Sequence, residues 1–136
     1  KGIAITETKK EALSAYVSYI RIFVMSGKNH FSIGGTVFSD GNQRLVQITG
    51  INLEAELVKN MLYVTNKDVP GLIGHLGSII GEDNINIASF KLGRNAPLKD
   101  AMALIGVDSP ISEKVIKNVK KLDSIVSVIS LEFNII

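Results

Sequence analysis

An α+β fold is predicted for this chain by three features of its sequence. Residues 1–59 are β-rich runs broken by turns, with little that favours a helix. Residues 60–136 alternate β-rich runs with segments of helical periodicity. The change between the two patterns falls near Leu57–Asn60. The reading is a mostly antiparallel β segment over 1–59, followed by an α+β unit over 60–136.

In the first segment, Gly2–Thr8 alternates Ile3 and Ile5 with Ala4 and Thr6, which predicts a strand. Ala15–Ser26 is a long run rich in aromatic and β-branched residues. Phe31–Phe38 carries Gly34-Gly35 in its middle, where a bulge or a close backbone approach is expected. Ser39-Asp40-Gly41-Asn42 is a hairpin turn, and Arg44–Thr49 returns from it as a strand. These runs predict a sheet of about four strands.

In the second segment, Met61–Thr65 is a strand and Pro70–Glu82 a helix, with Pro70 suited to the first helical position. Leu72, Ile73, Leu76, Ile79 and Ile80 form an apolar stripe at helical spacing, opposite Gly74, Gly77, Ser78 and Gly81. Ile85–Leu92 is a strand, Arg94–Lys99 a turn around Pro97, and Ala101–Val107 a buried strand. Ser112–Lys121 is a helix with Ser112 as its N-cap, and Val126–Phe133 closes the unit. The order βαββαβ is the ferredoxin-like arrangement, with both helices on one face of an antiparallel sheet. In it the Asn86–Leu92 strand lies at a sheet edge, where an apolar strand calls for pairing.

The 136 residues fit one ordinary domain or two small ones, and a 46% hydrophobic content is enough to fill a core. A net charge of +2 with scattered basic residues argues against a nucleic-acid partner. Lys114, Lys117, Lys120 and Lys121 do group together, on what reads as a solvated helix face. With no cysteine, thiol catalysis, disulfides and cysteine metal sites are excluded. No apolar run approaches the roughly 20 residues that span a membrane, and no signal-peptide pattern opens the chain, so a cytoplasmic protein is expected. Gly71, Gly74 and Gly77 follow a strand, but their spacing is not that of a dinucleotide fingerprint. Lys91 and Arg94 stand where its acidic residue belongs. His30 and His75 lack companion ligands, so no metal site is expected, and no catalytic constellation can be read from spacing.

The most informative stretch is Asn60–Gly93. A helix start facing Asn66 and Asp68 places free N–H donors beside a carboxylate acceptor, a pairing able to hold both ends of a zwitterion. An aliphatic strand, Asp68-Val69-Pro70-Gly71, an aliphatic–glycine helix, Asn84-Ile85-Asn86-Ile87-Ala88-Ser89 and a strand ending in Gly93-Arg94 together resemble the ACT domain, a small-molecule sensor. The form it resembles is the one at the C-terminus of the D-3-phosphoglycerate dehydrogenase family. The preceding segment, Gly35–Leu57, resembles the final strands of that family's allosteric substrate-binding domain. Domains at 1–59 (the end of that module) and 60–136 (ACT) follow from the resemblance.

The resemblance implies a regulatory piece without chemistry of its own, from an NAD-dependent enzyme of L-serine biosynthesis whose cofactor is held outside these residues. Two ACT domains would pair side by side in a homo-oligomer, with L-serine or another amino acid in the cleft between them. The ligand carboxylate would face the N–H groups of Gly71, Leu72 and Ile73. Asp68 would take the ammonium, Asn66 would lie beside it, and the partner's Asn86 would close the site. Structural roles compete for the same residues: Asn66 and Asp68 as turn formers, Asp68 as a helix cap, and Asn84 as a left-handed turn residue. A stand-alone ACT-type sensor and a purely structural dimerisation module are the alternative functions.

Overall fold

The computed structural model describes residues 3–8, 16, 18–95 and 100–134. In its first half, β1 (Ile20–Ser26), β2 (Asn29–Val37), β3 (Gln43–Ile48) and β4 (Ile51–Glu56) form an antiparallel meander in the order β1-β2-β3-β4. The hairpin after β2 forms where the sequence places it: Gly41 has φ +80, and Asn42 N–H donates to Asp40 Oδ1 at 2.8 Å. Gly34-Gly35 marks a register shift between β2 and β3, and Tyr19 lies against Gly34 where a Cβ would be.

The membership of this sheet differs from expectation. Residues 3–8 are exposed and form no strand, because alternation alone supplies neither a partner strand nor a buried face. Of the Ala15–Ser26 run only Ile20–Ser26 pairs, and Ala15 and Val17 lie outside the described residues. The fourth strand is instead β4, which follows a tight turn with Thr49 and Gly50 both at positive φ. Its Ile51 and Ala55 point to the core while Asn52, Glu54 and Glu56 face water.

The second half follows the predicted order. β5 (Asn60–Lys67), α1 (Leu72–Glu82), β6 (Ile87–Arg94), β7 (Asp100–Val107), α2 (Glu113–Lys120) and β8 (Ile125–Glu132) make a βαββαβ unit. Its sheet order is β6-β7-β5-β8, all antiparallel, with β6 and β8 at the edges. The fold is α+β with two antiparallel sheets. The predicted turn at Arg94–Lys99 lies partly outside the described residues.

One face of the second sheet carries the helices. Leu62 and Val64 of β5, Ala103 and Ile105 of β7, Leu72, Leu76 and Ile80 of α1 and Val115 and Val119 of α2 are all buried there. The predicted stripe on α1 is narrower than expected. Leu72, Leu76 and Ile80 recur every four residues and Ile79 flanks them against the core, but Ile73 lies on the open flank and is 52% exposed.

The other face carries the first sheet. Leu45, Ile48, Ile51 and Ala55 cluster with Met61, Met102 and Leu104, and Phe31 meets Tyr63 edge-on at 6.5 Å between ring centres. The contact depends on Gly93, where a Cβ would stand 2.6 Å from Ile51 Cγ2 and 3.3 Å from the Asn52 carbonyl. The layers therefore run helices, second sheet, first sheet. The functional residues predicted from the sequence lie on the helical side, at the two ends of the second sheet.

Candidate functional site

Pairing register fixes what can meet. Asn66 lies opposite Ala101, and Ala101 lies opposite Arg94, so these three residues form one row across β5, β7 and β6. Cross-strand partners share a face, and the alternation that buries Leu62 and Val64 under the helices puts this row on the helical side. Asn66 is therefore part of β5, only 1% exposed, and not the loop residue its composition implied. Its Nδ2 donates to the Lys67 carbonyl at 2.8 Å. Its Oδ1 is buried without a hydrogen-bond partner, the one side-chain atom in that condition among the described residues. An unmet buried acceptor costs about 1–3 kcal/mol and is otherwise rare.

Asp68 follows the strand. It does not cap α1, which has no side-chain cap bond. Instead its Oδ2 accepts from Arg94 Nη1 at 3.2 Å. Arg94 crosses from the far end of the row, and Ala101 between them is small enough to be crossed. In the sequence Arg94 stands as a cation out of place for a dinucleotide site and as the end of the motif strand, with no role of its own. The pairing was nevertheless accessible from order alone, since β5 and β6 run parallel in a split βαβ unit and end at the same edge of the sheet.

The start of α1 is open. Gly71 occupies the N-cap at φ +85, ψ −12, and Pro70 sits one residue before it, outside the helix. The left-handed turn at Gly71, which glycine adopts freely, is what displaces Pro70 from its expected first helical position. No acidic residue lies in the first turn, and the first intrahelical bond described here is His75 N–H to the Gly71 carbonyl at 3.1 Å. The N–H groups of Leu72 and Ile73 thus belong to the orphan set of a helix start. The Leu72 side chain is buried in the core and contributes only its backbone to this corner, whereas Ile73 and Gly71 are exposed.

Asn86 is elsewhere. It precedes β6, at the end opposite Arg94, where its Nδ2 donates to Asp108 Oδ2 at 2.6 Å and its carbonyl accepts from Asp108 N–H at 3.1 Å. Eight strand residues at ~3.3 Å each put it roughly 26 Å from Arg94. The structure brings Asn66, Asp68, Gly71, Leu72 and Ile73 to one corner and leaves Asn86 out of reach within the same chain. Asn84 has φ +55, the left-handed turn role expected of it.

Among the described residues no group of His, Asp and Glu could hold a metal ion, and His30 and His75 are both exposed. The residues do not fit a dinucleotide. β7 separates β5 from β6, and a guanidinium stands at the end of β6 where a ribose would need an acidic partner. The α2 lysines are solvated: Lys114 pairs with Asp83 at 3.1 Å and Lys117 with Glu113 at 3.7 Å. No described helix is long and apolar enough to cross a membrane.

A ferredoxin-like α+β unit is the class that this fold defines. Residues 1–49 match the family model described as the D-3-phosphoglycerate dehydrogenase intervening domain. The chain is 28% identical to D-3-phosphoglycerate dehydrogenase of Bacillus subtilis over 94% of its own length and 24% of that protein. It is 32% identical to the enzyme of Archaeoglobus fulgidus over 97% of its length and 25% of that protein. With the Synechocystis enzyme it shares 27% identity over 92% of its length and 23% of that protein. The chain is thus a homologue of one region of D-3-phosphoglycerate dehydrogenases, spanning about a quarter of the relatives' length.

Proposed function

We propose that this chain is the regulatory region of a D-3-phosphoglycerate dehydrogenase and that residues 60–136 form an ACT domain binding L-serine for feedback control. The parent protein would be cytoplasmic, carry out the NAD-dependent first step of L-serine synthesis, and hold NAD outside these residues. The observation that carries the reading is the corner at the start of α1. Uncapped backbone donors begin three residues after Asp68 and five residues after Asn66, whose buried Oδ1 acceptor lacks a partner. Donors suit the carboxylate of an amino acid and acceptors suit its ammonium.

The site needs two chains. β6 is a sheet edge, with Leu92 40% exposed on it and Ile73 exposed on the neighbouring helix. Two-fold pairing of β6 with its copy is antiparallel, so the start of one strand meets the end of the other. The partner's Asn86 would then arrive beside Asp68 and Arg94. Ligand bound across the seam favours the paired geometry, the differential affinity that regulation requires.

Sedimentation should show a dimer at micromolar concentration, and a calorimetric screen of the amino acids should find L-serine. Mixing Asp68→Ala with Asn86→Ala chains gives heterodimers with one intact and one doubly damaged site. Recovery of tight binding at up to half the sites is expected, and heterodimers that recover none would overturn the shared cleft. The Asp68–Arg94 pair favours one other reading, a dimerisation module whose acceptor is satisfied internally; dimerisation unchanged by every amino acid tested would support it.

A further inference from the structure

We infer that Arg94 is a specificity-determining residue of the effector corner, binding the ligand's carboxylate after exchanging its contact with Asp68 for one with the ligand. The inference rests on the amino-acid-binding function proposed above and assigns a role to a residue that the resemblance left without one.

Three observations converge on Arg94. Its contact with Asp68 is a single Nη1–Oδ2 bond at 3.2 Å, and its side chain is 56% exposed. A guanidinium has five donors in a rigid fork and pairs best with a carboxylate through two of them. The observed bond uses one donor, so Arg94 is engaged without its bidentate capacity being used. Second, the row Arg94–Ala101–Asn66 lies on the helical face at the end of β5 that leads into α1, and Arg94 at one end of it reaches Asp68, two residues past the other end. Asn66 at the row's far end holds the unpartnered Oδ1. Third, α1 starts uncapped at Gly71, three residues after Asp68, so N–H donors close in the chain to the Asp68–Arg94 pair supply a second anion-binding group.

A zwitterion fits the exchange because it conserves charge. Its ammonium takes the place of the guanidinium at Asp68 and gives Asn66 Oδ1 a donor. Its carboxylate takes the place of Asp68 at Arg94. One ion pair becomes two, and the orphan acceptor is satisfied. An amide of the same amino acid would displace Arg94 from Asp68 and offer it only a neutral carbonyl acceptor in return. The corner therefore selects α-amino acids with a free carboxylate and rejects their amides.

Calorimetry on the whole chain with L-serine and L-serinamide tests this in wild type, Arg94→Ala and Arg94→Gln, with thermal melts to verify folding. Wild type should prefer L-serine by tenfold or more, on the order of one charge-assisted contact. Arg94→Ala and Arg94→Gln should weaken L-serine by about ten- to a hundredfold and leave L-serinamide unweakened, or tightened by up to about fivefold as the competing contact at Asp68 is lost, so that the preference collapses. Unchanged L-serine affinity in both variants would overturn the assignment. Tighter binding of both ligands would overturn it too, making Arg94 only a plug on Asp68, and equal weakening of both would make it structural. A wild type that binds neither ligand would fell the effector function itself, an outcome separate from any variant's behaviour.

Discussion

The two helices pack on the same sheet and begin in opposite ways. α2 starts from Ser112 in extended conformation, whose Oγ accepts from Val115 N–H at 3.2 Å, with Glu113 in the first turn and Lys117 and Lys120 in the last. Cap and charges all complement the helix dipole. α1 starts from a left-handed glycine with no cap, no acid in its first turn and no base in its last. Burial of Leu72, Leu76 and Ile80 is what holds α1 in place. A helix start completed by its own sequence has no donors left for a ligand, while an open one beside two acceptors does. The contrast separates a stability device at α2 from the binding device proposed at α1.

Breaking the α1 corner should give the largest effect, and it should fall on binding. Asp68→Ala should lose about 2–5 kcal/mol of L-serine binding. Its pair with the half-exposed Arg94 is worth about 0–1 kcal/mol in stability, so the thermal midpoint should hardly move. A serine response of similar affinity in this variant would remove Asp68 from the site. Asn86→Ala should cost roughly 1–3 kcal/mol in binding while dimerisation persists. Loss of stability with ligand affinity intact would reduce Asn86 to a partner of Asp108.

Most of this contrast was legible in the sequence, and the misses have physical causes. Ser112 could be recognised because an N-cap is a local device, decided by a serine before an amphipathic run. β4 was missed although Ile51-Asn52-Leu53-Glu54-Ala55-Glu56 alternates and follows Thr49-Gly50, because glutamates depress strand propensity until a partner strand is known. Residues 3–8 were over-read for the converse reason: they alternate but have no partner. Composition called Asn66 a turn residue, whereas pairing with Ala101 and Ile125 keeps it in β5 and buries it. Arg94 and Asp108 went unassigned because their roles depend on which strand ends lie together, a property of topology and not of any local motif.

At α2 the same kind of damage should act on stability alone. Ser112→Ala removes the cap and also the Ser112 Oγ bond to Asp83 Oδ2 at 2.6 Å, which ties the end of α1 to the start of α2. The expected cost is about 1 kcal/mol, read from denaturant midpoints, with L-serine affinity unchanged. An effect on affinity would mean that the two helix starts are coupled and that the contrast is too sharp.

The smallest effect is a pH dependence at this junction. The Ser112 hydroxyl and then the Lys114 ammonium, at 3.1 Å from Oδ1, hold the Asp83 carboxyl below its ordinary value of 3.8. A carboxyl with a lower pKa in the folded chain binds protons more readily when unfolded, so stability rises with pH across the window between the two values. Its contribution is complete above that ordinary value and is lost as pH falls through the folded one. Asp83→Asn should therefore be slightly less stable than wild type at pH 7, and the gap should close as pH falls below about 4. Denaturant midpoints at the two ends of that range measure it. In a Ser112→Ala background the gap should shrink, since the hydroxyl is the larger cause of the shift. A gap that stays constant with pH would show that the asparagine substitution acts through packing and that the charge of Asp83 contributes nothing to joining the two helices.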